Sequence, residues 1–127
     1  MEHLKIAIAD DNQKILDLLD RVIGMEKDMN LVGKAKNGEE MCQIIKDKQP
    51  DVVLLDLIMP KMDGLTVMDR INHDKTVSKH PYFIVITAVG QEKITEDAFN
   101  KGANYTVWKK EALRRQLKTE EKVWRHE

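Results

Sequence analysis

The chain has 127 residues, 42% of them apolar and 34% charged, with a formal net charge of -1. That length and apolar share suffice for one domain with a buried sheet and exclude a disordered chain, while the near-balanced charge gives no general attraction to nucleic acid or to an anionic membrane. The one cysteine, Cys42, excludes an internal disulfide and, lying among Met41, Ile44 and Ile45, reads as a buried reduced thiol in a reducing compartment.

The opening MEHLKIAIADDN meets acidic residues at once, as neither a secretory leader nor a membrane span does, so a cytoplasmic location is expected. Residues 4–9 form a short apolar run containing Ile6 and Ile8 and cut off by Asp10 and Asp11, which predicts a buried strand ending at a polar edge. Asn12 can cap a helix in which Ile15, Leu18, Leu19, Val22 and Ile23 recur at helical spacing up to a stop at Gly24. Residues 31–35 read as a weaker strand and Asn37 with Gly38 as a turn. Met41, Ile44 and Ile45 then stripe a second helix that must end near Pro50. The unbroken run Val52, Val53, Leu54, Leu55 marks a strand covered on both faces and closed by Asp56. The loop 57–63 leads to a helix carrying Leu65, Met68 and Ile71, and residues 83–86 give a fourth strand ended by Thr87. A helix through Ile94, Ala98 and Phe99 closes at Gly102. Residues 105–108 read as a fifth strand, and a last helix from Glu111 carries Leu113 and Leu117.

Alternation of this kind requires a parallel sheet with right-handed crossovers, and five strands predict an α/β, flavodoxin-like doubly wound sheet of order 2-1-3-4-5 with helices on both faces. The ligand site of such a sheet lies beyond the carboxyl ends of the strands, at the switch in strand order between the first and third. Those ends carry Asp10, Asp11 and Asp56.

Three carboxylates converging at one rim repel one another, and a bound cation relieves that repulsion. Oxygen donors select hard Mg2+, Mn2+ or Ca2+, whereas His3, His73, His80 and His126 lack the spacing of metal ligands and read as surface residues. The blander reading is that Asp10 and Asp11 only cap a helix and Asp56 only ends a strand. Asp56 is also the candidate nucleophile toward phosphorus, forming a mixed anhydride. After it, in LIMPKMDG, Pro60 and Gly64 fix a tight loop from which the Ile58 carbonyl can turn back toward the cation. At the same rim Thr87 can offer a hydroxyl to a phosphoryl oxygen and Lys109 an ammonium to the developing charge. Taken singly, Thr87 also reads as a turn former and Lys109 as a solvated lysine.

Asp10 with Asp11, Asp56 within DLIMPKMDG, Thr87 with Ala88, and Lys109 resemble the response-regulator receiver family in order and place, over nearly the whole chain. DLIMPKMDG is specific, and an isolated pair of aspartates is not. Within that family IADDN, NGEE, PDVVLLDLIMPKMDGL, ITAVGQE and KGANY are similar to regulators of sporulation. The resemblance implies that residues 1–127 form a receiver domain phosphorylated on Asp56 by a phosphohistidine donor protein, with a Mg2+ or Ca2+ requirement and no turnover of an external substrate. It further implies a DNA-binding effector domain following this chain, control of transcription, and a homodimer through the face built from the fourth helix, fifth strand and last helix.

The carboxyl-terminal part departs from the family pattern. The aromatic residue expected three positions before Lys109 is Thr106, with Tyr105 one position earlier, and Lys110 replaces the usual proline after the lysine. A cis bond before a non-proline residue costs about 2.5 to 4 kcal/mol, so a trans Lys109–Lys110 bond is expected, and with it a last helix displaced or swapped between two chains. Lys109, Lys110, Arg114, Arg115, Lys118, Lys122 and Arg125 make the tail basic, which suits either a solvated face or contact with an acidic or nucleic-acid partner. Two other functions compete. A phosphate-ester hydrolase would need a general acid two residues beyond Asp56, where Ile58 stands. A phosphorylation-independent binding module fits Thr106 and Lys110 but not the intact set Asp10, Asp11, Asp56, Thr87 and Lys109.

Overall fold

A computed structural model describes the backbone of residues 3–87, 96, 100 and 105–109 and the side chains of residues 3–86, 96 and 100. In chain order the elements are β1 (Leu4–Ala9), α1 (Gln13–Gly24), β2 (Met29–Ala35), α2 (Gly38–Lys48), β3 (Val52–Asp56), α3 (Gly64–His73), β4 (Tyr82–Thr87) and β5 (Tyr105–Lys109). The strands pair in parallel in the order β2-β1-β3-β4-β5, the doubly wound arrangement expected from the alternation.

Each described helix starts at a side-chain cap. Asn12 accepts from the Lys14 N–H, Asn37 from the Glu40 N–H and Asp63 from the Thr66 N–H, satisfying donors that the first turn leaves open. Gly38 therefore ends the β2–α2 turn as the first residue of α2, because the capping geometry at Asn37 already commits the next residue to the helix. In α2 the charges also suit the helix dipole, with Glu39 and Glu40 in the first turn and Lys46 and Lys48 in the last. It stops at Gln49, a non-glycine residue with φ of 49°, just before Pro50.

The two faces of the sheet bury different sets, as strand alternation demands. Ile6, Ile8 and Ile86 pack with Ile15, Leu16, Leu18, Leu19 and Ile23 of α1, with Val52 and Leu54 against them. On the other face Ala7, Ala9, Val53, Leu55, Phe83 and Val85 pack with Met41 and Ile45 of α2 and Val67, Met68 and Ile71 of α3. The sequence stripes omitted Leu16 and Val67, both buried, and included Val22, Ile44 and Leu65, which are half-buried. A helix seated on a sheet buries an arc wider than a single line of positions.

Strands β2 and β4 begin at Met29 and Tyr82, ahead of the apolar runs that predicted them, because backbone pairing such as Leu4 with Met29 extends the ladder into exposed positions. The ladder also slips twice. Between Ile6 and Ala7 the partner shifts from Leu31 to Gly33, and between Val85 and Ile86 it shifts from Thr106 to Trp108, so Val32 and Val107 are extra residues. Tyr105 and Thr106 hold adjacent register positions opposite Ile84 and Val85, and the count from Thr106 to Lys109 crosses the second slip.

Cys42 is half-buried rather than buried, with its Sγ 3.7 Å from Met62 Sδ, and burial raises its pKa above the usual thiol value. Among the described residues, no helix is long and apolar enough to cross a membrane. The helix through Ile94, Ala98 and Phe99, the Lys109–Lys110 bond, the last helix and the basic tail lie outside the described residues.

Candidate functional site

The carboxyl ends of β1 and β3 adjoin, with Ala9 paired to Leu55, so the residues that close these strands are neighbours. Asp10 and Asp56 are fully buried, at 0% exposure, and Asp11 is exposed. Carboxylate oxygens of Asp10, Asp11 and Asp56 lie within 4.8 Å of one another, the one such cluster of potential metal ligands among the described residues. Backbone donors orient the two buried acids. Asp10 Oδ1 accepts from the Asn12 N–H at 2.8 Å, and Asp56 Oδ1 accepts from the Ile58 N–H at 3.3 Å.

Like charges gathered this closely are mutually repulsive, most of all where burial lowers the local dielectric. Their spacing fits one hard cation. Oxygens on opposite sides of a Mg2+ or Ca2+ stand about 4.0 to 5.2 Å apart, twice the usual metal–oxygen distance. The donors are oxygens alone, with no thiolate or imidazole in the cluster, as Mg2+, Ca2+ and Mn2+ prefer. Exposed Asp11 leaves the cluster an open side toward solvent.

The loop behind Asp56 is closed on itself. The Gly64 N–H donates to the Leu57 carbonyl at 2.9 Å, and a Cβ on Gly64 would come 2.5 Å from the Asp56 carbonyl oxygen, so only glycine lets the chain return this close to its start. The Met62 N–H donates to the Pro60 carbonyl at 2.7 Å around Lys61, whose φ is 66°. Leu57, Met59 and Met62 point into the core while Ile58, Pro60 and Lys61 are exposed. Pro60 and Gly64 were legible in the sequence as the makers of this turn. Gly38 was not: its N–H donates to the Met62 carbonyl at 2.9 Å, a contact between segments far apart in sequence.

Thr87 ends β4 and Lys109 ends β5, and the register pairs them directly, next to the Asp56–Ile86 pair. The backbone thus brings Asp10, Asp56, Thr87 and Lys109 to one rim. The side chains of Thr87, Lys109, Tyr105 and Thr106, and all of Lys110, lie outside the described residues. His3, His73 and His80 are exposed, as expected, with His73 Nδ1 3.5 Å from Asp69 Oδ1. A separate concavity of about 400 Å3 between α2 and α3 is lined by Cys42, Lys46, Arg70 and Asp74 among others, and contains none of the three clustered aspartates.

Residues 6–120 match the family described as the response regulator receiver domain. The chain belongs to that family. Among solved structures it is similar to the signal receiver domain of the response regulator NarL from Mycobacterium tuberculosis, with 28% identity, a TM-score of 0.75, and coverage of 83% of this chain and 82% of that one. It is also similar to a chain of the CheX–CheY–BeF3–Mg2+ complex from Borrelia burgdorferi, at 31% identity and a TM-score of 0.70, covering 82% of this chain and 77% of that one. The receiver domain of AraT from Geobacillus stearothermophilus matches over 97% of both chains, at 27% identity and a TM-score of 0.69. Receiver domains are phosphorylation-based signalling switches rather than turnover enzymes, and they bind Mg2+ through acidic residues.

Proposed function

We propose that Asp56 is the phosphoacceptor of this receiver domain and that Asp10, Asp11, Asp56 and the Ile58 carbonyl hold one divalent cation, Mg2+ or alternatively Ca2+ or Mn2+. The observation that carries the reading is the convergence of two fully buried carboxylates and an exposed third within 4.8 Å at adjoining strand ends. An Asp56 carboxylate oxygen attacks phosphorus, the phosphorus–nitrogen bond of a phosphohistidine donor breaks, and the imidazole leaves with the bonding electrons. Bound at this cluster, a divalent cation would neutralise carboxylate and phosphoryl charge and hold the two in register. The Thr87 hydroxyl and Lys109 ammonium then pair with phosphoryl oxygens from the neighbouring strand ends.

The output belongs to the same proposal. The likeness of IADDN, NGEE, DLIMPKMDGL, ITAVGQE and KGANY to the receiver of stage 0 sporulation protein A supports a cytoplasmic sporulation regulator. Residues 1–127 would be its receiver, and a DNA-binding effector domain would follow this chain and control transcription. Pairing with Thr87 and Lys109 shifts a pre-existing equilibrium toward a homodimer built on β5 and its flanking helices, or on an exchanged last helix. Thr106 and Lys110 favour the rival reading, a binding module that works without phosphorylation.

Intact-mass measurement after incubation with acetyl phosphate and Mg2+ decides between these readings. One phosphoryl addition is expected on the unaltered chain and none on Asp56→Asn. Equal labelling of both would remove Asp56 from its role, and no labelling of either would favour the rival.

A further inference from the structure

The four residues 35–38 bond at one end to Asp10 and at the other to the loop that follows Asp56. At one end the Ala35 carbonyl accepts from the Asp10 N–H at 3.0 Å, holding the strand end that carries Asp10 and leads to Asp11. At the other the Gly38 N–H donates to the Met62 carbonyl at 2.9 Å, holding the loop that returns to Asp56 through Gly64. Between them Asn37 is buried, at 6% exposure, and its side chain accepts from the Glu40 N–H at 2.9 Å. This cap fixes the start of α2. One rigid turn therefore joins the segment supplying Asp10 and Asp11 to the loop behind Asp56.

From this geometry we infer that the β2–α2 turn is a strut setting the separation of the two halves of the cation site, with Gly38 as its positioning residue. The inference rests on the proposed cation and phosphoacceptor roles of Asp10, Asp11 and Asp56. Gly38 is needed at the contact because a Cβ there would overlap the Met62 carbonyl oxygen and also press on Met62 Cβ. The carbonyl is backbone, in a loop closed at its base by Gly64, so it cannot swing aside as a side-chain tip would. An added methyl group therefore forces the loop and the start of α2 apart, and a loop that yields carries Ile58 with it and shifts the site around Asp56.

Gly33 provides the matched control. A Cβ on Gly33 would meet Ile44 Cγ2 of α2 at 2.6 Å, so it also strains the packing of α2, but against a side chain rather than the backbone of the loop behind Asp56. A merely structural role for Gly38 predicts that the two substitutions act alike. The strut predicts that only one of them reaches the metal.

The test is Mg2+ titration by calorimetry on the unaltered chain, Gly38→Ala and Gly33→Ala. It is combined with the rate of acetyl phosphate labelling at saturating Mg2+ and the thermal midpoint of each protein. Gly38→Ala is expected to weaken Mg2+ by about 10-fold or more, the scale on which groups supporting metal ligands act, and to slow labelling even when Mg2+ saturates. Gly33→Ala is expected to lower the thermal midpoint while leaving both Mg2+ affinity and labelling rate close to those of the unaltered chain. If Gly38→Ala does not fold, Asn37→Ala carries the same test, since it loosens the turn by deleting its cap without inserting an atom. Unchanged affinity and rate in Gly38→Ala, or an equal loss in Gly33→Ala, would overturn the strut. Failure of the unaltered chain to bind Mg2+ or to be labelled would instead overturn the proposed function on which it rests.

Discussion

The two poles of the sheet handle carboxylates in opposite ways. At the amino-terminal pole Asp51 precedes β3 and is surrounded by donors. Its Oδ2 accepts from the Lys5 N–H at 2.7 Å, its Oδ1 pairs with Lys79 Nζ, and its backbone bonds to both β1 and β4 through Lys5 and Tyr82. Helices α2 and α3 run back against the strands, so their last turns reach the same pole. There Asp74 accepts from the Thr76 N–H and hydroxyl and pairs with Lys46 at 3.0 Å. Each acid has a cation from a different part of the chain. At the carboxyl pole the carboxylates of Asp10, Asp11 and Asp56 converge within 4.8 Å of one another. One pole ties its acids to lysines of other segments, and the other brings three acids together, where the proposed cation would offset their mutual repulsion.

The largest expected effect follows from the carboxyl pole. Mg2+ at about 100 times its Kd should stabilise the fold by about 2.7 kcal/mol through mass action, measured as the shift in urea unfolding between Mg2+ and chelator. Asp11→Ala should lose most of that increment and be labelled more slowly by acetyl phosphate. An Asp11→Ala chain that keeps the full increment would break the contrast between the poles.

Removing one acid from each pole should change stability in opposite directions. In chelator, Asp51→Ala is expected to cost about 2 kcal/mol, the scale of hydrogen bonds to a charged group. Asp56→Asn is expected to stabilise by about 1 kcal/mol as like-charge repulsion at a functional site is relieved. Urea unfolding of the two variants reads both signs, and destabilisation by Asp56→Asn would show that its carboxylate is held as favourably as that of Asp51.

The smallest effect is acid dependence at the amino-terminal pole. The Thr76 hydroxyl, then the Thr76 N–H and Lys46, hold Asp74 down to about 2 from an ordinary 3.8, and Lys79 with the Lys5 N–H lower Asp51 as well. A depressed folded-state value stabilises the fold above the unfolded value and loses that contribution as pH falls through the folded one. The contribution of Asp74 should therefore fade as pH drops from about 4 toward about 2. Carboxyl carbon NMR should find the Asp74 midpoint near 2 in the unaltered chain and higher in Thr76→Val. An unmoved midpoint would leave the hydroxyl without a part in it.

How far each feature could be read from sequence depended on whether its cause was local. Asn12 and Asp56 announced themselves because a capping side chain or an acid closing an apolar run acts within a few residues. The half-burial of Cys42 and the slip past Val107 did not, since both depend on what another segment places opposite.

By itself the sequence determined the alternation of elements, the parallel sheet and its order, and the gathering of Asp10, Asp11 and Asp56 at one rim. Periodicity and the handedness of crossovers leave few other arrangements for such a chain. Tertiary structure alone decided that Asp10 and Asp56 are buried while Asp11 faces solvent, and that Asp51 ties three strands together. It also decided that Gly38, outwardly a turn residue, bears on the loop behind Asp56. These are contacts between backbones far apart in sequence, and backbone groups are the same at every residue, so no side-chain pattern records which of them will meet.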